Sequence, residues 1–132
     1  MRQTGAAKIS LGVPMPVIEI AMLAPAAAID VTPALEKVTA EVAAFLGEEP
    51  RATWAIFRPI APGHYAEGDV APSTQPAGTH PAIVQVFADR PPEEVAALLR
   101  TVGAGVVRAF GLEEGNVVVR FEPAEPDRLF WG

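Results

Sequence analysis

The sequence has 132 residues, of which half are apolar and a fifth are charged, and its formal net charge is −6. This length suits one domain with one core, and the absence of cysteine excludes disulfides, thiolate nucleophiles and Cys-ligated zinc. Scattered basic residues in an acidic chain argue against a nucleic-acid partner, two histidines argue against a metal, and no apolar run is long enough to span a membrane.

The N-terminal segment differs in composition from the rest of the chain. It carries Arg2 and Lys8 but no acidic residue, and it lacks the apolar region and cleavage site of a signal peptide. We therefore interpret residues 1–14 either as an extension or as translated sequence ahead of a true start at Met15, with the domain occupying residues 15–132. The protein is expected in the cytoplasm.

The first half of the domain reads as a strand, a helix and a second strand. Apolar and β-branched residues predict a strand over 16–23, and a further strand is predicted over 52–60. Between them, Thr32 is expected to cap a helix that ends at Gly47. The residues expected on its buried stripe share helical spacing: Leu35, Val38, Val42, Phe45 and Leu46.

The second half repeats this order after a Pro/Gly-rich loop over residues 61–79. A strand is predicted over 81–88, and a helix begins at Pro91 and Pro92 and ends at Gly111. Its expected stripe is Val95, Leu99, Val102, Val106 and Phe110. Gly103 and Gly105 inside it are expected to permit close packing against the sheet. A fourth strand follows over 116–122, and residues 129–131 are expected to add a short fifth.

A constant offset relates the two halves, about 16–65 and 81–132. Gly47 and Gly111 lie 64 residues apart, and an F-x-P-x-x-P motif recurs at the same distance, beginning at Phe57 and Phe121. Pro16 and Pro81, which open the first strand of each half, lie 65 apart. This spacing indicates an internal duplication of a β-α-β unit.

Two β-α-β units predict an α+β, two-layer fold: a four-stranded mixed sheet with both helices on one face. The other face is expected to be apolar and uncovered, lined by Ile18, Ile20, Val84 and Val86 or by their alternates. Because an exposed apolar face of this size needs a partner, the chain is expected to self-associate.

The chain resembles the tautomerase superfamily, which includes 4-oxalocrotonate tautomerase, macrophage migration inhibitory factor and malonate semialdehyde decarboxylase. The resemblance covers residues 15–132. It is carried by Met15-Pro16 before an apolar strand, by the duplicated pattern, by PAIVQVFADRPPEEV and by the APGHY segment at 61–65. It implies a homotrimer with the sheets around a central barrel, sites between subunits and no cofactor or metal.

The resemblance also implies roles for individual residues. Pro16, if it is the mature N-terminus, would be the catalytic base, because a buried amine near cations holds its proton loosely at neutral pH. Arg90 would bind a substrate carboxylate. Trp54 stands where 4-oxalocrotonate tautomerase has a charge-stabilising arginine, so Arg58 or Arg120 would replace that charge.

The remaining expected site residues are two loop side chains and an aromatic tail. Tyr65 aligns with the aromatic residue that lines the family pocket, and His64 beside it could donate a hydrogen bond. Phe130 and Trp131 resemble the tail that packs on a neighbouring subunit. Glu67 and Asp69 are interpreted as solvated loop acids.

Three functions remain open. The first is a cofactor-independent tautomerase that moves a proton on a small keto or enol carboxylic acid. The second is a hydratase or decarboxylase on the same fold, and the third is a non-catalytic trimeric binding module, the natural reading if residues 1–14 remain attached and Pro16 is not N-terminal.

Overall fold

The computed structural model describes residues 16–25, 27–69 and 80–130. The N-terminal segment through Met15, most of the long loop (residues 70–79) and Trp131 therefore lie outside the described residues. The described part contains four strands and two long helices: β1 (Val17–Leu23), α1 (Val31–Leu46), β2 (Trp54–Ile60), β3 (Ala82–Ala88), α2 (Pro92–Phe110) and β4 (Val117–Pro123). Short 3-10 turns cover Pro50–Ala52 and Pro126–Arg128.

The strands form one mixed sheet in the order β2-β1-β3-β4. Each half contributes a parallel pair, β1 with β2 and β3 with β4, as a helical crossover requires. The halves meet along an antiparallel β1–β3 ladder at the centre. The predicted duplicated β-α-β architecture, with two helices on one face of a four-stranded mixed sheet, is confirmed.

Helix boundaries agree with the sequence better at the C-terminal ends than at the N-terminal ends. Gly47 and Gly111 adopt left-handed backbone conformations, with φ of 70° and 66°, and end α1 and α2 as predicted. The prediction of Thr32 as N-cap was wrong, because α1 begins at Val31 and Asp30 occupies the cap without a side-chain hydrogen bond. Pro33 therefore lies inside the first turn, where a proline removes no helical hydrogen bond.

The core lies between the helices and one face of the sheet. The sheet and both helices contribute fully buried residues to it. These are Ile18, Ile20, Val84 and Val86 from the strands, Val38 and Val42 from α1, and Leu98, Val102, Val106 and Phe110 from α2. Phe45 is 41% exposed, so its place on the predicted stripe was wrong. Ala34, one turn before Val38, and Ala43, which directly follows Val42, are buried on α1 instead.

The uncovered face of the sheet is lined by the alternate residues. The named set of Ile18, Ile20, Val84 and Val86 points toward the helices and is buried. Because strand side chains alternate between faces, the residues between them occupy the open face. Four exposed large apolar residues lie there: Trp54, Ile56, Ile83 and Val118.

The alternation of side chains between the two faces of the sheet also corrects the predicted correspondence of Pro16 with Pro81. Ile18, Ile20 and Met22 face the core in β1, and Ala82, Val84, Val86 and Ala88 do so in β3. Only an even offset superposes these inward positions, because a one-residue slip exchanges the two faces of a strand. The offset of 65 between Pro16 and Pro81 is therefore not a structural equivalence, whereas the offset of 64 relates the helix ends and the β2 and β4 patterns.

The two glycines of α2 allow two different close approaches. A Cβ on Gly103 would lie 3.3 Å from a Val119 methyl, so this glycine permits the predicted helix–sheet contact. A Cβ on Gly105 would lie 3.0 Å from Oε1 of Glu41, so this glycine permits contact between the two helices instead.

The predicted fifth strand is absent from the described part of the C-terminus. The 3-10 turn at Pro126–Arg128 is followed by extended residues Leu129 and Phe130 that join no ladder, and Phe130 is 93% exposed. Within the described ranges, no helix has the length and apolarity needed to cross a membrane.

Candidate functional site

Pro16 lies at the start of β1, at the end of the sheet where β2 also begins. Its side chain is fully buried, and its carbonyl oxygen accepts a 3.0 Å hydrogen bond from the backbone amide of Trp54. Because Trp54 is the register partner of Val17, Thr53 lies beside Pro16. The side chain of Pro16 is thus shielded from water, and burial disfavours a protonated amine.

Thr53 is a polar residue beside Pro16 that the sequence analysis did not single out. Thr53 is 4% exposed, and its Oγ1 is buried without a hydrogen-bond partner in the part of the chain that the structure describes. A buried hydroxyl of this kind is uncommon in native proteins and often belongs to a site. Only its place as a polar residue near the start of the strand predicted over 52–60 could have drawn attention to it.

An apolar row crosses the open face next to Pro16. The register places Trp54, Val17 and Phe87 side by side on β2, β1 and β3. Trp54 is 43% exposed. Because it pairs with Val17, Trp54 lies close to Pro16 in the sheet, and its aromatic side chain carries no charge. Phe87, which the sequence analysis did not single out, forms the β3 end of this row.

Arg90 lies at the same end of the sheet, two residues after β3. Its Nη2 lies 2.8 Å from Oε1 of Glu94, and its Nη1 lies 3.6 Å from Oε2 of Glu48. The Arg90 side chain is 24% exposed. In this conformation two protein carboxylates neutralise the guanidinium, so a substrate carboxylate would have to displace at least one of them.

Arg58 and Arg120 lie in the middle of the open face, away from Pro16. Nε of Arg58 binds Oε1 of Glu19 at 2.9 Å, and this hydrogen bond and the carboxylate charge raise the pKa of Arg58. Nη2 of Arg120 lies 3.5 Å from Oε1 of Glu122, which also accepts a 2.6 Å hydrogen bond from Gln85. Arg58 is thus paired with an acid of the neighbouring strand β1 and Arg120 with an acid of its own strand β4, and both belong to a polar band across the sheet.

His64 and Tyr65 lie at the opposite end of the sheet from Pro16. They follow the end of β2, and His64 is exposed, with its backbone amide bonded to the carbonyl of Ala61 at 2.9 Å. Since β1 has seven residues, at about 3.3 Å per residue its two ends are roughly 20 Å apart. One chain alone therefore brings Pro16 and Arg90 together but does not bring Tyr65 to them.

Tyr65 belongs to a hydrogen-bonded cluster that the sequence did not indicate. Its hydroxyl donates to Oε2 of Glu67 at 2.9 Å, and Nδ1 of His80 lies 2.9 Å from the same oxygen. The two hydrogen bonds, that of His80 foremost, lower the pKa of Glu67. Burial, followed by the bond to Glu67, raises the pKa of Tyr65. Glu67, interpreted from the sequence as a solvated acid, is thus the centre of the cluster.

A groove of about 740 Å³ runs between α2 and β4. Its walls are mainly apolar, with Arg100 and Arg108 on the helix side and Val117 and Val119 on the strand side. None of the side chains predicted for the site lines it. Over the described ranges, no group of three or more His, Asp or Glu side chains is placed to hold a metal ion.

These features define a class of protein: two fused β-α-β units that share one mixed sheet, with a buried proline at the start of the first strand. This is the fold of the tautomerase superfamily, as comparison with solved structures shows. A native fused 4-OT superposes with a TM-score of 0.73 at 13% identity, covering 88% of this chain and 92% of that one. No protein-family model and no curated protein matches the sequence.

Two further structures show the same likeness. Pt0534 inactivated by 2-oxo-3-pentynoate has a TM-score of 0.67 at 17% identity, with 86% of this chain and 89% of that chain covered. Malonate semialdehyde decarboxylase, described together with a proline-to-alanine variant and with decarboxylase and hydratase activities, has a TM-score of 0.64 at 12% identity, with coverage of 88% and 90%. Identities this low establish the fold and leave the activity to be argued from the site.

Proposed function

We propose that this protein is a cofactor-independent tautomerase in which Pro16, once it is the N-terminal residue, moves a proton on a small keto or enol carboxylic acid. The observation that carries the proposal is the position of Pro16, fully buried at the start of β1 in a fold shared with 4-OT. As an internal residue, its nitrogen is a non-basic amide. Removal of residues 1–15 would turn that nitrogen into a secondary amine.

The chemistry then follows from burial. A free α-amino group titrates at about 7.7–8.0 in model compounds, and an apolar pocket lowers that value by disfavouring the cation. Such an amine removes a proton from the carbon next to a carbonyl, leaving an enolate, and returns a proton to a second carbon or to oxygen. Arg90 would hold the substrate carboxylate at the same end of the sheet, after release from Glu48 or Glu94.

The proposal includes a homotrimer. The open face carries Trp54, Ile56, Ile83 and Val118, a set of large apolar side chains that a single chain leaves in water. Some structural neighbours are fused 4-OT proteins described as trimers. Because Tyr65 and Pro16 lie at opposite ends of one sheet, a pocket that contains both needs two copies of the chain. We propose His64 and Tyr65 as contributions from a neighbouring subunit, and Arg58 and Arg120 as charges facing the assembly interior.

The decisive experiment compares two lengths of the chain. A chain starting at Met15, whose methionine is removed in the cell, should convert a small 2-keto acid between its keto and enol forms, and the full chain from Met1 should not. In the shorter chain, Pro16→Ala should lower kcat/KM by about 10²–10⁴-fold, the usual contribution of a positioned proton-transfer group. Equal activity of the full chain, or an unaffected Pro16→Ala variant, would contradict the proposal. Intact mass of protein from its natural host tells which form exists.

A hydratase or decarboxylase is the second candidate, favoured by the likeness to malonate semialdehyde decarboxylase. This chemistry needs a carboxylate that activates water, and Glu48, Glu94 and Glu122 are among the acids at the Pro16 end of the sheet. Turnover of a 3-oxo or unsaturated acid would select this candidate. If the natural protein has the mass of a chain that starts at Met1 and turns over none of these substrates, a trimeric binding module is the remaining function.

A further inference from the structure

The cluster of Tyr65, Glu67 and His80 leaves one imidazole nitrogen without a hydrogen bond. The His80 side chain is 11% exposed, its Nδ1 lies 2.9 Å from Oε2 of Glu67, and its Nε2 is buried with no hydrogen-bond partner among the described residues. Burying an acceptor without a partner is costly, so such an atom in a native protein calls for an occupant or a role.

The arrangement determines which nitrogen carries the proton. Oε2 of Glu67 accepts the hydroxyl proton of Tyr65, and the Glu67 carboxylate has no proton of its own to give while it is ionised. The contact with His80 is therefore a hydrogen bond donated by Nδ1–H. In the neutral imidazole, Nε2 then bears the lone pair, which makes it the proton-accepting atom.

A carboxylate that orients an imidazole through Nδ1 while Nε2 stays available is the arrangement found in oriented histidine bases. Tyr65 supports the carboxylate from the other side, and its ring centre lies 6.1 Å from that of His80. The cluster is close to the surface, since the Glu67 side chain is 44% exposed. A small ligand that donates a hydrogen bond would satisfy the buried nitrogen.

We infer that His80 is a second proton-accepting site, positioned by Glu67 and Tyr65, for a small molecule with an acidic hydroxyl such as an enol or a phenol. With an enol, Nε2 takes the hydroxyl proton and the imidazolium returns it to the neighbouring carbon, so the ligand becomes its keto form and His80 ends neutral. Atoms and charge balance without a co-reactant.

Within one chain this site lies far from Pro16, and proton transfer at His80 goes beyond the proposed function, which uses only Tyr65 of this cluster, in the Pro16 pocket of a neighbouring subunit. The antiparallel register of β1 and β3, continued past its last pair, places His80 beside Ala24. Pro16 is eight residues from Ala24 along β1, which corresponds to about 25 Å in an extended strand. The inference therefore holds whether or not Pro16 has a free amine, and the full chain with its Pro16 amide is the suitable form for the test.

The test uses the two histidines as a matched pair, because the chain has only His64 and His80. In ¹⁵N–¹H spectra of the full chain carrying Pro16→Ala, His80 should show the Nδ1–H tautomer. Addition of 4-nitrophenol should shift the Nε2 resonance of His80 and leave His64 unchanged. Phenolate absorbance should rise with saturable binding, since the proton moves to the imidazole. His80→Asn should abolish this signal, and Asp69→Asn, which leaves the cluster intact, should retain it.

A positioning role for Glu67 has its own readout. Glu67→Gln should shift the His80 tautomer equilibrium and weaken 4-nitrophenol binding at least tenfold, whereas Asp69→Asn in the same loop should change neither. Tyr65→Phe, which keeps the ring, should weaken binding less than Glu67→Gln. If 4-nitrophenol does not shift the Nε2 resonance of His80, the inference is overturned. The same follows if water is the only molecule found to bind at Nε2. Equal binding by the His80→Asn and parent chains would also overturn it.

Discussion

The backbone amide of Trp54 donates a 3.0 Å hydrogen bond to the carbonyl oxygen of Pro16. This bond ties Pro16 to β2, an edge strand, and the parallel register places Thr53, whose hydroxyl has no partner among the described residues, beside Pro16. Removal of residues 1–15 would leave this bond in place and would change only the Pro16 nitrogen, from an amide to a secondary amine.

Replacement of Thr53 by valine should stabilise the protein. Valine keeps the shape of threonine but removes a buried hydroxyl whose unsatisfied state costs about 1–3 kcal/mol. We expect Thr53→Val to raise the free energy of unfolding by about 1 kcal/mol in urea denaturation. Thr53→Ser keeps the hydroxyl and loses a buried methyl group, so it should be destabilised by about 0.8 kcal/mol. A loss of stability in Thr53→Val would mean that the hydroxyl has a partner in solution.

Arg90 should affect substrate binding more than turnover. If its guanidinium holds the substrate carboxylate, Arg90→Ala in the chain starting at Pro16 should raise KM about 10-fold or more, the worth of a charged hydrogen bond. Glu94→Gln removes the carboxylate 2.8 Å from Nη2 and should lower KM instead. Arg100→Ala on the exposed side of α2 is the control and should leave KM unchanged. A fall in kcat alone would assign Arg90 another role.

Tyr65 is the chain's only tyrosine, so its ionisation can be followed directly by absorbance at 295 nm. Burial and the bond to Glu67 raise its pKa above the usual 10.0. Because the folded pKa is the higher one, the cluster's contribution to stability is present below pH 10 and is lost as pH rises through the folded value. Glu67→Gln should lower the titration midpoint only in part, since burial remains. Asp69→Asn should leave it in place.

The two glycines of α2 should respond differently to alanine. Both substitutions gain about 1 kcal/mol of helix propensity. In Gly105→Ala the new methyl meets the flexible end of Glu41, which can move at the cost of its surface ion pair with Arg108. In Gly103→Ala it meets the stiff β-branched Val119 at 3.3 Å. Thermal unfolding should therefore rank Gly105→Ala as the more stable variant, and the reverse order would contradict the packing.

The open face of the sheet should control assembly. Light scattering of the parent chain should give three times the 13.9 kDa chain mass. Val118 is 56% exposed in the single chain, and Val118→Asp would bury a charge in the proposed trimer, so this variant should dissociate to monomers. Ala96→Asp, on an exposed position of α2, should leave the mass unchanged. A monomeric parent chain would contradict the proposed trimer.

The sequence by itself determined the order of elements, the duplication and the fold. Gly47 and Gly111 ended the helices as predicted because the left-handed conformation strongly favours glycine. The runs of apolar and β-branched residues likewise identified β1 and β3. These signals are local, and local patterns are readable without knowing what lies across the fold.

Only the tertiary structure decided which face each strand buries and which side chains meet. A run such as VIEIAML is apolar at almost every position, so the face of Ile18 and Ile20 follows from the helices that cover them. The meeting of Glu67 with His80 joins residues thirteen apart in sequence, and the orphan Oγ1 of Thr53 depends on β2 lying against β1. Such contacts are set by packing of the whole chain, because hydrogen-bond partners and burial are properties of neighbours that no single segment contains.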